Sequence, residues 1–358
     1  MIVFICYIFL ICFTSFFCCV KNDFNFEEIK LYKKVTLLLP MLYLFAVMGL
    51  KSIKVGADTE RYVEYLRSFS QKNFTQVLSE GYDFGFNLFN KLMIVFCQNN
   101  YTIYFLTIYA FVCFSLYVFI SQNSKDYCVS QLMLLSLGFT FFFFTGLRQT
   151  IAMSILMHAY NAQKKRKFVW CILLTVLAAT FHSTALIFLL ILPIRFIKFR
   201  KAIIFVAPVF VILAYIFQAQ IFSFFSSLLP DDLYDAYGKS YISSVNMTGL
   251  IIQITIFVVS LFYLWKHLNQ DNEANFLLNV YVIGMVFQAM TGTMAEFFRL
   301  SMYFSIFGVI LIPKALSYLK KGSRTVISLG MCSVFIVYFI FFSSTGSGVL
   351  PYSFFWSK

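Results

Sequence analysis

The sequence predicts an all-α polytopic integral membrane protein, and three observations carry that prediction. Hydrophobic residues make up 61% of the chain and charged residues only 12%, against about 45–50% and 25% in soluble domains. The apolar residues gather into runs close to the ~20 residues a helix needs to cross hydrocarbon. The basic residues behind the net charge of +13 sit in short clusters between those runs. They mark loops facing an anionic leaflet rather than a nucleic-acid surface.

Taken in order, the runs predict about twelve transmembrane helices: 1–20, 35–50, 101–121, 129–145, 148–163, 168–181, 183–197, 202–229, 250–265, 275–291, 297–319 and 325–342. The first run lacks a basic leading segment and a small-residue cleavage site, so it reads as a retained helix rather than a signal peptide. Residues 51–100 form the longest polar stretch, an external loop carrying an interfacial or re-entrant helix at about 84–97. A second external loop, 230–248, mixes acids with tyrosines. No repeat and no soluble domain interrupts the pattern, so 1–358 reads as a single membrane domain. The nine cysteines lie almost wholly inside apolar runs without metal-ligand spacing and read as small buried hydrophobes.

Orientation follows from the basic clusters. Placing Lys21–Lys34 in the cytoplasm and alternating sides sends Lys164–Lys167, Arg195–Lys201, Lys266 and Lys314–Arg324 there as well, as positive residues require. Both termini are then external. Asp58, Arg61, Asp83, Arg148, His182, Glu296 and Arg299 all reach the external face. Inner loops hold ordinary basic clusters, whereas outer turns hold single polar residues embedded in apolar sequence. That asymmetry predicts one polar site at the outer leaflet.

Each constellation has a bland and a functional reading. In Thr145-Gly146-Leu147-Arg148-Gln149-Thr150, Gly146 turns the chain so that Arg148 and Gln149 open the next helix. Free first-turn amides there add to the guanidinium, giving either a surface turn or an anion site suited to phosphate. Gly56-Ala57-Asp58-Thr59-Glu60-Arg61-Tyr62 reads as a turn and helix start, with Asp58 accepting first-turn amides. Equally, Asp58 or Arg61 contacts a sugar or diphosphate. Tyr82-Asp83-Phe84-Gly85-Phe86 is an acid in an aromatic patch, either a solvated loop residue or a carboxylate in a sugar cleft, where desolvation suits general-base work. His182, at the tip of an apolar hairpin on the side of Arg148, has the chemistry to accept a hydroxyl proton or bond a phosphate. His158 and His267 fall towards the cytoplasm and read as structural. Glu296 and Arg299 are spaced to pair on a helix, and Tyr303 lies one turn beyond Arg299. Two arginines from separate helices grip a diphosphate better than one. No metal triad, nucleophile elbow, P-loop or dinucleotide fingerprint is visible, so neither metal nor cofactor is predicted.

Five motifs occur in order: Gly56-x-Asp58-Thr59-x-x-Tyr62, Asp83-Phe84-Gly85-Phe86, Arg148-Gln149-x-x-Ala152, Phe181-His182-x-x-Ala185-Leu186 and Arg299-x-x-x-Tyr303-Phe304. Together, from Gly56 to about Phe304, they resemble the EpsG-like branch of the Wzy polysaccharide polymerases, with Asp83 where the family more often has Glu. The resemblance implies an integral glycosyltransferase of the bacterial cytoplasmic membrane with its active site facing outwards. Such an enzyme joins undecaprenyl-diphosphate-linked oligosaccharide repeat units into O-antigen, capsule or exopolysaccharide. It implies that Arg148 and Arg299, with Gln149, Arg61, Glu296 and Tyr303, bind diphosphate or sugar, and that His182 or one of Asp58 and Asp83 activates the acceptor hydroxyl. It implies no nucleotide sugar and no nucleic acid, and a chain-length regulator as partner. Three alternatives stand beside it: a lipid-linked oligosaccharide flippase or other transporter, an O-antigen ligase, and an assembly subunit without chemistry. A transporter needs polar residues at mid-membrane, where only Gln253, Asn279 and Gln288 are found.

Overall fold

The computed structural model describes residues 1–20, 26–79, 83–98, 100–226, 247–292, 296–342 and 347–357. The described residues are overwhelmingly helical, and the sole strand-like pairing among them is an isolated bridge between Lys51 and Phe354. Tyr82 and the loop expected at 230–248, up to residue 246, lie outside the described residues.

Among the described residues, four helices are long and apolar enough to cross a membrane: Tyr101–Asn123, Met247–Leu264, Glu296–Leu316 and Lys321–Phe342. A fifth span arises if Tyr127–Ser136 and Phe139–Thr145, bent by 54°, are counted as one. Shorter apolar helices stand at Ile2–Phe16, Lys34–Gly49, Phe84–Cys97, Phe168–Phe181 and Ser183–Ile194. Uninterrupted long helices therefore do not account for the expected twelve, because several apolar runs are divided. The run 129–145 breaks at Gly138, whose φ of +82° is the left-handed conformation glycine adopts without strain. The run 202–229 stops and restarts as Ile203–Ile216 and Gln218–Ser226. Residues 183–197 begin as a 3-10 helix, Ser183–Leu190. Hydropathy records apolar length and is blind to such breaks.

Helix starts follow local polar chemistry. Asn100 accepts hydrogen bonds from the amides of Thr102 (3.0 Å) and Ile103 (3.3 Å) and so opens Tyr101–Asn123. Asp126 does the same for Tyr127–Ser136 through the Val129 amide at 3.2 Å. The faces left exposed are apolar: Val326, Leu329, Val334, Phe341 and Phe342 on Lys321–Phe342 are all at least 63% exposed, as side chains facing lipid should be.

The chain divides into two compact units, Met1–Leu186 with Thr325–Lys358, and Ile187–Arg324. In the first, Ile2–Val20 packs on Phe26–Gly49, which packs on Tyr101–Asn123, while Leu147–Lys164 lies along Phe168–Phe181. The C-terminal segment returns to this unit. The Tyr352 hydroxyl donates to the Val47 carbonyl (2.7 Å), and the amides of Ser52 and Gly56 donate to the carbonyls of Ser353 (2.9 Å) and Gly348 (2.8 Å). In the second unit, Asn272–Ala289 meets Glu296–Ser305 closely: a Cβ on Gly284 would stand 2.9 Å from the Ser305 nitrogen. Ser301 donates to the buried Gly284 carbonyl at 2.8 Å and accepts from Gln253 at 3.0 Å, small-residue packing of the kind membrane helices use.

Candidate functional site

Three sequence-distant residues meet in the first unit. Asp83 precedes the helix Phe84–Cys97, yet its side chain makes no capping hydrogen bond. It turns instead to other segments. Oδ2 accepts from Arg148 Nη1 at 3.1 Å and Oδ1 accepts from the Ser183 amide at 3.1 Å. His182 Nδ1 stands 3.7 Å from Oδ2, beyond hydrogen-bond distance. The Asp83 and His182 side chains are only 15% and 12% exposed, while that of Arg148 keeps 27%. The guanidinium is thus anchored at one edge and still reachable from solvent.

Local sequence explains how these groups are presented. Gly146 precedes Leu147–Lys164, putting Arg148 in its first turn, beside amides without intrahelical acceptors. His182 ends Phe168–Phe181 in extended conformation (φ −158°), which swings its ring and the following Ser183 amide off the helix axis. Gly85 lets the two helices touch: a Cβ there would lie 2.2 Å from Thr180 Oγ1 and 2.9 Å from the Thr180 carbonyl oxygen. The glycine of the acid-x-Gly-aromatic motif is therefore a packing residue that brings the acid to His182.

Electrostatics favours a charged carboxylate. Burial pushes the Asp83 carboxyl up, but His182, the Arg148 guanidinium and the Ser183 amide outweigh it, so the group lies below its ordinary range. Tyr62 adds a further layer. It is buried, Arg148 engages its phenol through both backbone and side chain, and its ring meets Phe86 edge-on at 5.8 Å.

The remaining predicted residues fall as follows. Asp58 occupies the position before helix Thr59–Ser70, but its side chain makes no capping hydrogen bond. The expectation that it accepts first-turn amides is corrected, since its backbone (φ −99°, ψ 1°) is not the extended form that aims an N-cap side chain at those amides. Arg61 is exposed, donates from Nε to the Tyr65 hydroxyl at 2.7 Å and lies 5.7 Å from that ring. Gln149 is buried beside Arg148. Glu296, Arg299 and Tyr303 share the helix Glu296–Ser305 of the second unit, with Glu296 half-buried, Arg299 exposed and Tyr303 buried. Among the described residues, no group of three or more His, Cys, Asp or Glu is placed to hold a metal. Lys51, Tyr62 and Ser183 were not singled out as site residues by sequence reasoning. Tyr62 was legible as the last residue of its motif; a lysine following an apolar run and a serine used through its amide give no signal of their own.

Hydropathy, helical architecture and this buried polar cluster define a helical membrane protein. A family model, the EpsG family, matches residues 34–354. The chain belongs to that family. No curated protein and no solved structure matches it. Membership points to a polysaccharide-polymerase role of the Wzy-like kind.

Proposed function

We propose that this protein is a membrane glycosyltransferase that joins polyprenyl-diphosphate-linked oligosaccharide repeat units at the outer leaflet of the bacterial cytoplasmic membrane. The observation that carries the reading is the Asp83–Arg148–His182 cluster, drawn from three segments inside the family-matched region. Family membership and the apolar helices support the lipid-linked substrate class. The pattern of basic loops supports the outward-facing site, and the run of apolar segments supports about twelve spans.

In this reading the acceptor hydroxyl attacks the anomeric carbon of the donor. The new glycosidic C–O bond forms as the bond to the diphosphate oxygen breaks, and the leaving diphosphate keeps the electron pair. Arg148 neutralises that developing charge, the electrostatic help such a transition state needs. Gln149 and Arg61 are proposed to contact sugar or diphosphate, and Arg299, Glu296 and Tyr303, which lie on one helix of the second unit, are likewise proposed as sugar- or diphosphate-binding residues. Asp83, held charged, is a weak base, better suited to orienting His182 and balancing Arg148. His182 is then the proton acceptor, charging beside a carboxylate that stabilises it. Asp58 is left as a contact residue.

Arg148→Ala in the native host tests the reading. The surface polymer ladder should collapse to single repeat units while membrane levels of the protein hold. The bent span at Gly138 favours a second reading, a lipid-linked oligosaccharide transporter, since broken helices line transport paths. Loss of single repeats together with the ladder would select it.

A further inference from the structure

Beneath the site lies a lysine that the proposed chemistry does not use. Lys51 is 1% exposed and forms no ion pair among the described residues. Its ammonium donates to the Phe144 carbonyl at 2.7 Å and to Thr59 Oγ1 at 2.8 Å. The rings of Phe105, Phe144 and Tyr109 surround it at 5.0, 5.4 and 5.6 Å. Cation–π contacts offset part of the cost of burying a charge without a counter-ion, but a methionine of similar length would carry no such cost. What the ammonium adds is two directed donors.

Both donors are aimed at elements that hold Arg148. Phe144 lies in the last turn of Phe139–Thr145, where carbonyls lack intrahelical partners, and the chain reaches Arg148 four residues later. The Tyr109 hydroxyl takes the adjacent Phe143 carbonyl at 3.0 Å. Thr59 passes its own proton to the Val55 carbonyl (2.7 Å) and opens the helix bearing Tyr62, whose phenol meets Arg148. Gly56, at φ +98°, completes the clamp: a Cβ there would stand 2.6 Å from the Phe144 oxygen and 2.7 Å from Thr59 Oγ1. Gly56, Thr59 and Tyr62 of the first motif thus converge on the turn that presents Arg148.

We propose that Lys51 is a positioning residue, tying the Phe144 carbonyl to Thr59 so that the Arg148 guanidinium is held at Asp83. The inference rests on the reading of Arg148 given above. It is tested on the full-length protein in lipid nanodiscs, extending a lipid-linked repeat unit extracted from host cells lacking the protein. Initial rates and melting temperatures are taken for wild type, Lys51→Met, Arg148→Lys, their double variant and Arg148→Ala. Lys51→Met should lose about 10-fold or more in rate, as small misplacements do, while its melting temperature holds or rises. The double variant should be little slower than Arg148→Lys, because both changes disturb one interaction. A rate loss that tracks a fall in melting temperature, or that multiplies with the Arg148→Lys loss, overturns the proposal. If Lys51→Met does not fold, Thr59→Val removes one acceptor and should show the same non-multiplying loss at smaller size; a multiplying loss or none overturns it. Wild-type rate in Arg148→Ala would sink the site reading itself. A slow Arg148→Ala beside an unimpaired Lys51→Met would sink only the role of Lys51.

Discussion

Asp83 and Asp271 stand at the same local position, the residue before a helix, in two different units. Asp271 uses its carboxylate at home. Oδ1 accepts from the amides of Glu273 (2.9 Å) and Ala274 (3.0 Å), capping Asn272–Ala289. Oδ2 takes the Lys314 ammonium at 2.6 Å and the Tyr318 hydroxyl, and His267 stacks on Tyr318 at 3.9 Å. Burial pushes this carboxyl up, but Lys314, Tyr318 and the Ala274 amide pull it down to about 2. Asp83 ignores its own helix and spends both oxygens on Arg148 and Ser183, with His182 alongside. The Lys314–Asp271 pair is 15% and 14% exposed, whereas Arg148 keeps nearly twice that. A closed network with every oxygen satisfied locally pins structure; an acid that leaves its cap unmade to hold a reachable cation and a histidine is poised for a ligand.

Substitutions sharpen or break that contrast. The largest effect should come from Asp83→Asn, which unbalances Arg148 and leaves His182 without its carboxylate. Polymer formation should fall by about 100-fold or more with the melting temperature little changed, measured as extension rate per folded molecule. Gly85→Ala should follow. Its new methyl meets Thr180 backbone and side chain, costing about 1–3 kcal/mol as overpacking does, and activity should fall as Asp83 is moved from Ser183. Asp271→Asn should behave in the opposite way, losing about 1–2 kcal/mol of stability in a chemical or thermal melt while the rate per folded molecule stays put. A slowed Asp271→Asn enzyme would erase the distinction between the two acids. The smallest effect is one of pH. Both folded carboxyls lie below their unfolded range, so their stabilisation is fully present above about pH 4 and is lost as pH falls through the folded values. For Asp271 that window runs down to about 2, and the acid-side fall in melting temperature should flatten in Asp271→Asn.

Several features were legible in the residues. The apolar runs marked the helices, and Gly146 correctly preceded the helix of Arg148, because hydropathy and turn chemistry act over neighbouring residues. The spacing of Asp83, Gly85 and Phe86 was visible as a motif, but its reason was not. Gly85 matters because of Thr180, and Asp83 reaches Ser183 across 100 residues of sequence. Lys51 looked like a loop cation following an apolar run, and nothing near it in sequence announces burial among Phe105, Tyr109 and Phe144. Asp58 misled in the other direction: the right residue at the right place made no cap, since backbone conformation decides where a short side chain points.

By itself, the sequence determined that this chain is helical, apolar enough for a membrane and marked by single polar residues at a few turns. Those are properties of composition and of residues within a helical turn of one another, where physics is local. Tertiary structure alone decided which acid caps, which is held for Arg148, and which lysine is buried. Each of those depends on donors and surfaces brought together from distant parts of the chain, and a carboxylate or ammonium takes its role from whichever partners packing delivers to it.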